Sequence, residues 1–220
     1  MPTKVELETR IDDLKHQIRR LERSVNQARL DVKELPTAAY NRFETPALSD
    51  KIHQAIVRGW AEFEEVVVDP SPRINLYIKS SQGIGWSWEE DYVRNGQFAW
   101  CGAFAAWCHT AVKYDIRKKI FPSCYRMYSN WGQTSRKIAS QKVQPGDIVV
   151  VYTSKRSMQG DHITLCVDSS TIEEGYITTI EGNAHGELGD GSNGEGVIKR
   201  QRTINEFAHV YRLLADDFDE

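Results

Sequence analysis

Residues 161–181 constrain this chain more than any other stretch, because a polar loop at 168–175 (DSSTIEEG) separates two strand patterns, 163–167 and 176–180. A symmetric turn there places His162 directly opposite Glu181. Directly opposed residues of an antiparallel pair share a face, with Cβ atoms about 4.5 to 5.5 Å apart, so the carboxylate comes within reach of the imidazole. Asn183 lies two residues on and faces the same side. A carboxylate or amide at that point fixes the ring tautomer and leaves the other nitrogen free to take a proton from a thiol.

The thiol is Cys101. It opens a helical pattern running to about Tyr114 and rich in small residues (Gly102, Ala103, Ala105, Ala106, Ala111), which permit close packing on a sheet. A helix N-terminus carries partial positive charge, and together with an imidazolium it lowers a cysteine pKa below the free value of about 8.5. Thiol, imidazole and carboxylate are the parts of a cysteine hydrolase.

Three motifs follow one another in order: WCGAFAAWC at 100–108, PGDIVVV at 145–151 leading to His162, and EGN at 181–183. In these the chain resembles the CHAP family, the cysteine- and histidine-dependent amidohydrolases and peptidases of the papain-like superfamily, over roughly residues 73–214. The resemblance implies a papain-like fold and cleavage of amide bonds in bacterial peptidoglycan, between sugar and stem peptide or within the cross-links, without a metal. By the same resemblance Cys101 is the nucleophile, His162 the general base, and Glu181 with Asn183 the orienting groups. The backbone N–H of Cys101 would hold the oxyanion, with Gln97 or Asn95 as a further donor. Many members carry Gly before the histidine; here Asp161 stands there, and its charge bears on the pKa of His162.

Ahead of this region, Leu7, Ile11, Leu14, Ile18, Leu21, Val25, Ala28, Val32 and Leu35 alternate spacings of four and three, the heptad seam of a coiled coil over residues 1–36. β-Branched residues at a (Ile11, Ile18, Val25, Val32) with leucines at d favour a parallel two-stranded homo-oligomer. The rim does not add support, since Arg10 would meet Lys15 of the partner. The alternative is a helix folded back on the catalytic domain. Pro36 ends the seam, residues 37–47 read as a linker, and 48–220 as the catalytic domain with a helical extension.

Within that domain the periods predict a helix over 48–68 capped by Ser49, a short helix over 73–79, and a rim loop at 83–88. The segment 122–132 follows the Cys101 helix, and strands are expected near 147–153, 161–167, 176–181, 196–201 and 208–214. Helices first and an antiparallel sheet second make an α+β fold.

Trp86, Trp88, Trp100 and Trp131, with Tyr125 and Tyr128, are candidates to line a groove for sugar and peptide, or to fill the core. Cys108, seven residues after Cys101, reads as a buried structural thiol, and His109 and His185 as solvated or locally bonded. Cys101, Cys108 and His109 match no common zinc spacing. The glycine-rich stretch 186–196, with Asp190, Asn193 and Glu195, lacks the ligand order of a calcium loop and reads as a flexible hairpin loop beside the site. No metal or cofactor is expected.

The net charge of −3 gives no footprint for a nucleic-acid partner. Charges interrupt every apolar stretch near the N-terminus, so no secretory signal or membrane span is expected. The four cysteines are expected to be reduced. The chain is then made in the cytoplasm and acts on the cell wall after release or delivery, as a phage lysin or an antibacterial toxin. Two other readings stand beside this one: a non-catalytic glycan-binding or structural particle protein, and a papain-like peptidase or amidase with a substrate outside the cell wall.

Overall fold

In the computed structural model of the chain, two prolines open the first two helices, α1 (Pro46–Glu64) and α2 (Pro72–Ser80). Proline suits that position because its missing N–H is one the helix leaves unbonded anyway. Ser49, the expected cap, therefore lies inside α1. The helix also stops earlier than its apolar period suggests: Val66 takes a left-handed φ of 55°, and Val68 bridges to Gly196. The structure describes residues 46–80, 99–110, 123–153, 158 and 160–214, all within the unit Phe43–Glu220. The coiled-coil seam of 7–35, the rim tryptophans Trp86 and Trp88, and the oxyanion candidates Asn95 and Gln97 lie outside the described residues.

Helix α3 (Cys101–Thr110) begins at the cysteine the sequence singles out. Helix α4 (Cys124–Trp131) is capped by Ser123, whose Oγ accepts from the N–H of Arg126 at 3.3 Å. The strands are β1 (Lys137–Ile138), β2 (Ile148–Val151), β3 (His162–Asp168), β4 (Tyr176–Glu187), β5 (Asn193–Thr203) and β6 (Phe207–Tyr211). They form one antiparallel sheet in the order β1-β6-β2-β3-β4-β5, so the described fold is α+β.

Both sheet faces are covered, which is why the four residues of β2 are all buried and read as a continuous apolar run. One face, with Ile148, Val150, Ile163, Leu165 and Ile180, packs under the helices against residues such as Ile52, Tyr77 and Phe104. On the other, Val149, Val151, Cys166, Ile177 and Val210 form a smaller layer. Helix α3 lies against α1, α2, β3 and β4. Its small residues allow this, and Gly182 on β4 completes the fit. A Cβ there would stand 2.5 Å from Phe104 Cβ and Trp100 Cζ3.

The hairpin is not symmetric. A bulge between Cys166 and Asp168 and a 3-10 turn at Ile172–Glu174 shift the register, so Leu165 faces Ile180 and Cys166 faces Thr179. Glu181 accordingly stands on the diagonal from His162, not directly opposite. The glycine-rich stretch also differs from expectation: β4 continues to Glu187 and β5 starts at Asn193, leaving a short turn. The glycines serve close approach here. Val197 donates to Val67 O, Asp69 donates to Glu195 O, and a Cβ on Gly196 would collide with Val67 O. Among the described residues no helix is long and apolar enough to cross a membrane.

Candidate active site

Cys101 is the first residue of α3 and His162 the first of β3, so a helix N-terminus and a strand end meet where α3 packs on the sheet. The thiol and the imidazole act on each other's charge, and the backbone N–H groups of Ile163 and Gly102 also favour the thiolate. His162 Nε2 lies 3.1 Å from Glu181 Oε2. A carboxylate only accepts, so Nε2 carries the proton and Nδ1 is the nitrogen left for Cys101. The three are 5%, 7% and 0% exposed, which removes the water that would weaken their interaction.

Burial alone would raise the pKa of Cys101, but the charge and hydrogen bond of His162 and the two backbone N–H groups outweigh it and pull the thiol down. Burial would likewise lower His162. The negative charge and hydrogen bond of Cys101, then those of Glu181, raise it instead, to about 9. The pair is thus biased toward thiolate and imidazolium. Of the chain's four cysteines the other three are pushed the opposite way, chiefly by burial: Cys108 and Cys166 well up, and Cys124 to about 12.

Sequence reasoning missed what lies behind Glu181. Arg202 of β5 donates Nε to Glu181 Oε1 at 2.8 Å and Nη2 to Oε2 at 2.7 Å, and Thr179 Oγ1 donates to Oε1 at 2.6 Å. Burial opposes the charge of Glu181, yet the hydrogen bonds from Arg202 and His162 hold its carboxyl well below the usual carboxylate range. Arg202 Nη1 in turn donates to Glu206 Oε1 at 2.8 Å, and Glu206 closes a capping box with Thr203. The one signal available in the sequence was that box, Thr203 and Glu206 three apart beside an arginine in a strand pattern.

Asn183 takes another position from the one expected. It has a left-handed φ of 56°, its Oδ1 accepts from the N–H of Trp100 at 2.8 Å, and its Nδ2 donates to Glu195 Oε1 at 3.1 Å. Its amide thus meets the chain just before Cys101 and not the imidazole. Trp100 is fully buried, its Nε1 donating to Asp69 Oδ2 at 3.2 Å, and Trp131 is buried edge-on to Tyr211. Both belong to the core and present no groove surface. Tyr128 is half-buried and stacks on His209 at 5.0 Å, while Tyr125 is exposed.

Asp161 turns its carboxylate to Thr153, accepting from N at 2.6 Å and Oγ1 at 3.0 Å, and the groups that raise His162 against its burial are Cys101 and Glu181. His109 is fully buried, and burial pushes its pKa down to about 3, so it is neutral. His185 is exposed. Asp190 accepts from Ser192 within its own turn. Among the described residues no cluster of three or more His, Cys, Asp or Glu is arranged to hold a metal ion.

Neither a family model, nor a curated protein, nor a solved structure matches the chain. The chemistry open to the site follows from its parts. It offers a thiolate nucleophile, an imidazolium able to donate a proton, and a buried acid fixing the ring.

Proposed function

We propose that the protein is a papain-like cysteine hydrolase of the CHAP kind that cleaves amide bonds of peptidoglycan. The observation that carries this reading is the unbroken line from the Cys101 thiol through the His162 ring to the Glu181 carboxylate, on a sheet packed against the nucleophile's helix. The three sequence motifs supply the substrate class. In this scheme the Cys101 thiolate attacks the amide carbonyl, and the tetrahedral oxyanion faces the N–H of Cys101. His162⁺ protonates the departing amine as the C–N bond breaks, leaving a thioester. Neutral His162 then takes a proton from water; hydroxide attack on the thioester releases the carboxylic acid and restores the ion pair. Glu181 holds the ring in place throughout and does not itself transfer a proton.

The heptad seam of residues 7–35 is proposed to pair two copies, and the setting to be a phage lysin or delivered toxin reaching the wall after release. The test is digestion of purified peptidoglycan followed by mass analysis of the fragments. Cys101→Ala and His162→Ala should each abolish cleavage while leaving the circular dichroism unchanged. Retained turnover in either variant rules the scheme out.

A further inference from the structure

Arg202 is only 4% exposed, and all three of its donor positions are committed: Nε and Nη2 grip the two oxygens of Glu181, and Nη1 is tied to Glu206. That is more than an ion pair needs for neutralisation. A bidentate fork fixes the plane of a carboxylate as well as its charge. The plane matters because Oε2, the oxygen that meets Arg202 Nη2, is also the one that meets His162 Nε2.

We infer that Arg202 is a positioning residue for the Cys101–His162 pair, setting the orientation of the Glu181 carboxylate and supplying the positive charge that lets a fully buried acid stay ionised behind the imidazole. The inference rests on the hydrolase reading above for its purpose and on the contacts of Glu181 for its geometry. Every neighbouring element that offers Glu181 a polar group agrees with it. His162 faces it from β3, Thr179 from its own strand, and Arg202 from β5; Arg200, on the same face of β5, is turned away to donate to His185 O. Thr179 brings no charge. Without Arg202 the thiolate, imidazolium and carboxylate would carry a net negative charge in a water-poor site, and Glu181 would take up a proton.

Histidine-ring NMR titration reads this without any substrate. In Arg202→Met the midpoint of His162 should move to lower pH by about one unit or more, the effect of losing an ionised carboxylate partner. Glu181→Gln should move it the same way, and the double variant no further than either single one. Arg202→Lys, which keeps the charge but not the fork, should give a smaller downward shift and carries the test if Arg202→Met does not fold. A His162 midpoint that stays put or rises in the Arg202 variants overturns the inference. Wild-type protein that leaves peptidoglycan intact while the variants show the shifts discards the substrate reading and keeps the role of Arg202. Intact turnover with an unshifted midpoint does the reverse.

Discussion

Two buried glutamates are gripped by arginine forks in this protein, and they do different things. Glu62 on α1 accepts from Nε of Arg73 at 2.8 Å, from Arg73 Nη2 and from the Tyr77 hydroxyl, which pins α1 to α2. Its arginine is half in water, with a side chain 45% exposed. Glu181 is held the same way by an arginine almost wholly buried, and its remaining partners are the Thr179 hydroxyl and the His162 imidazole. The same fork acts as a fastener between two helices in one place and as a backing for an imidazole beside a thiol in the other. What differs is whether the carboxylate has a partner that can exchange a proton.

The contrast can be broken by mutating each side. If the chain is the proposed hydrolase, Glu181→Gln should lower peptidoglycan turnover by about 10²-fold or more, since it removes the group that holds the His162 ring charged and oriented. It should also destabilise the fold by about 3–5 kcal/mol in urea unfolding, because the buried Arg202 loses the charged partner of two of its three nitrogens and keeps only Glu206. Glu62→Gln should give a smaller loss, about 2–3 kcal/mol, because Arg73 can turn to water. It should leave the rate of Cys101 alkylation by iodoacetamide at neutral pH unchanged. A fall in that rate would mean that both forks feed the site.

Two pH experiments sharpen the comparison. His162 is raised to about 9, so its imidazolium form, the proton donor of the proposed hydrolysis, disappears as pH climbs through that value. Turnover should fall there while alkylation of Cys101, which needs only the thiolate, does not. The folded-state pKa of Glu181 is depressed, so its stabilising contribution is complete above its ordinary value of 4.5 and lost as pH falls toward the folded value. Between pH 5 and 3 (about the range where an unfolded carboxylate titrates), wild-type protein should lose stability faster than Glu181→Gln. The smallest effect belongs to Thr179→Val, about 1 kcal/mol for one hydrogen bond to a carboxylate that keeps its other partners.

The sheet and the thiol–imidazole meeting were legible because both follow from local pattern. Apolar runs bounded by turn residues marked β2 through β6, and a small-residue helix opening at Cys101 marked the packing against them. Strand β1 was not legible, since two residues carry no period. Register was misread by two residues because the turn after β3 is not symmetric, with Asp168 facing Thr178 and, past the bulge, Cys166 facing Thr179, and the alternation marks neither. Arg202 escaped for a related reason: it stands directly opposite Ile177, while Ile198 faces Glu181, so the guanidinium reaches along the strand pair past Thr179. Reach of that kind depends on the side-chain rotamer and not on spacing. Trp100 and Trp131 show the limit of composition, because a large aromatic near a site is drawn inward by the area it buries.

The amide of Asn183 joins the chain just ahead of Cys101 to the outermost strand, β5, through Glu195. The downward pull on the Cys101 thiol comes mainly from His162 and Ile163, some sixty positions further along the chain, so a polypeptide in which β3 has not yet met α3 carries an ordinary thiol there. Selective labelling of Cys101 during refolding would then work as a clock, its onset marking the moment β3 and α3 come together.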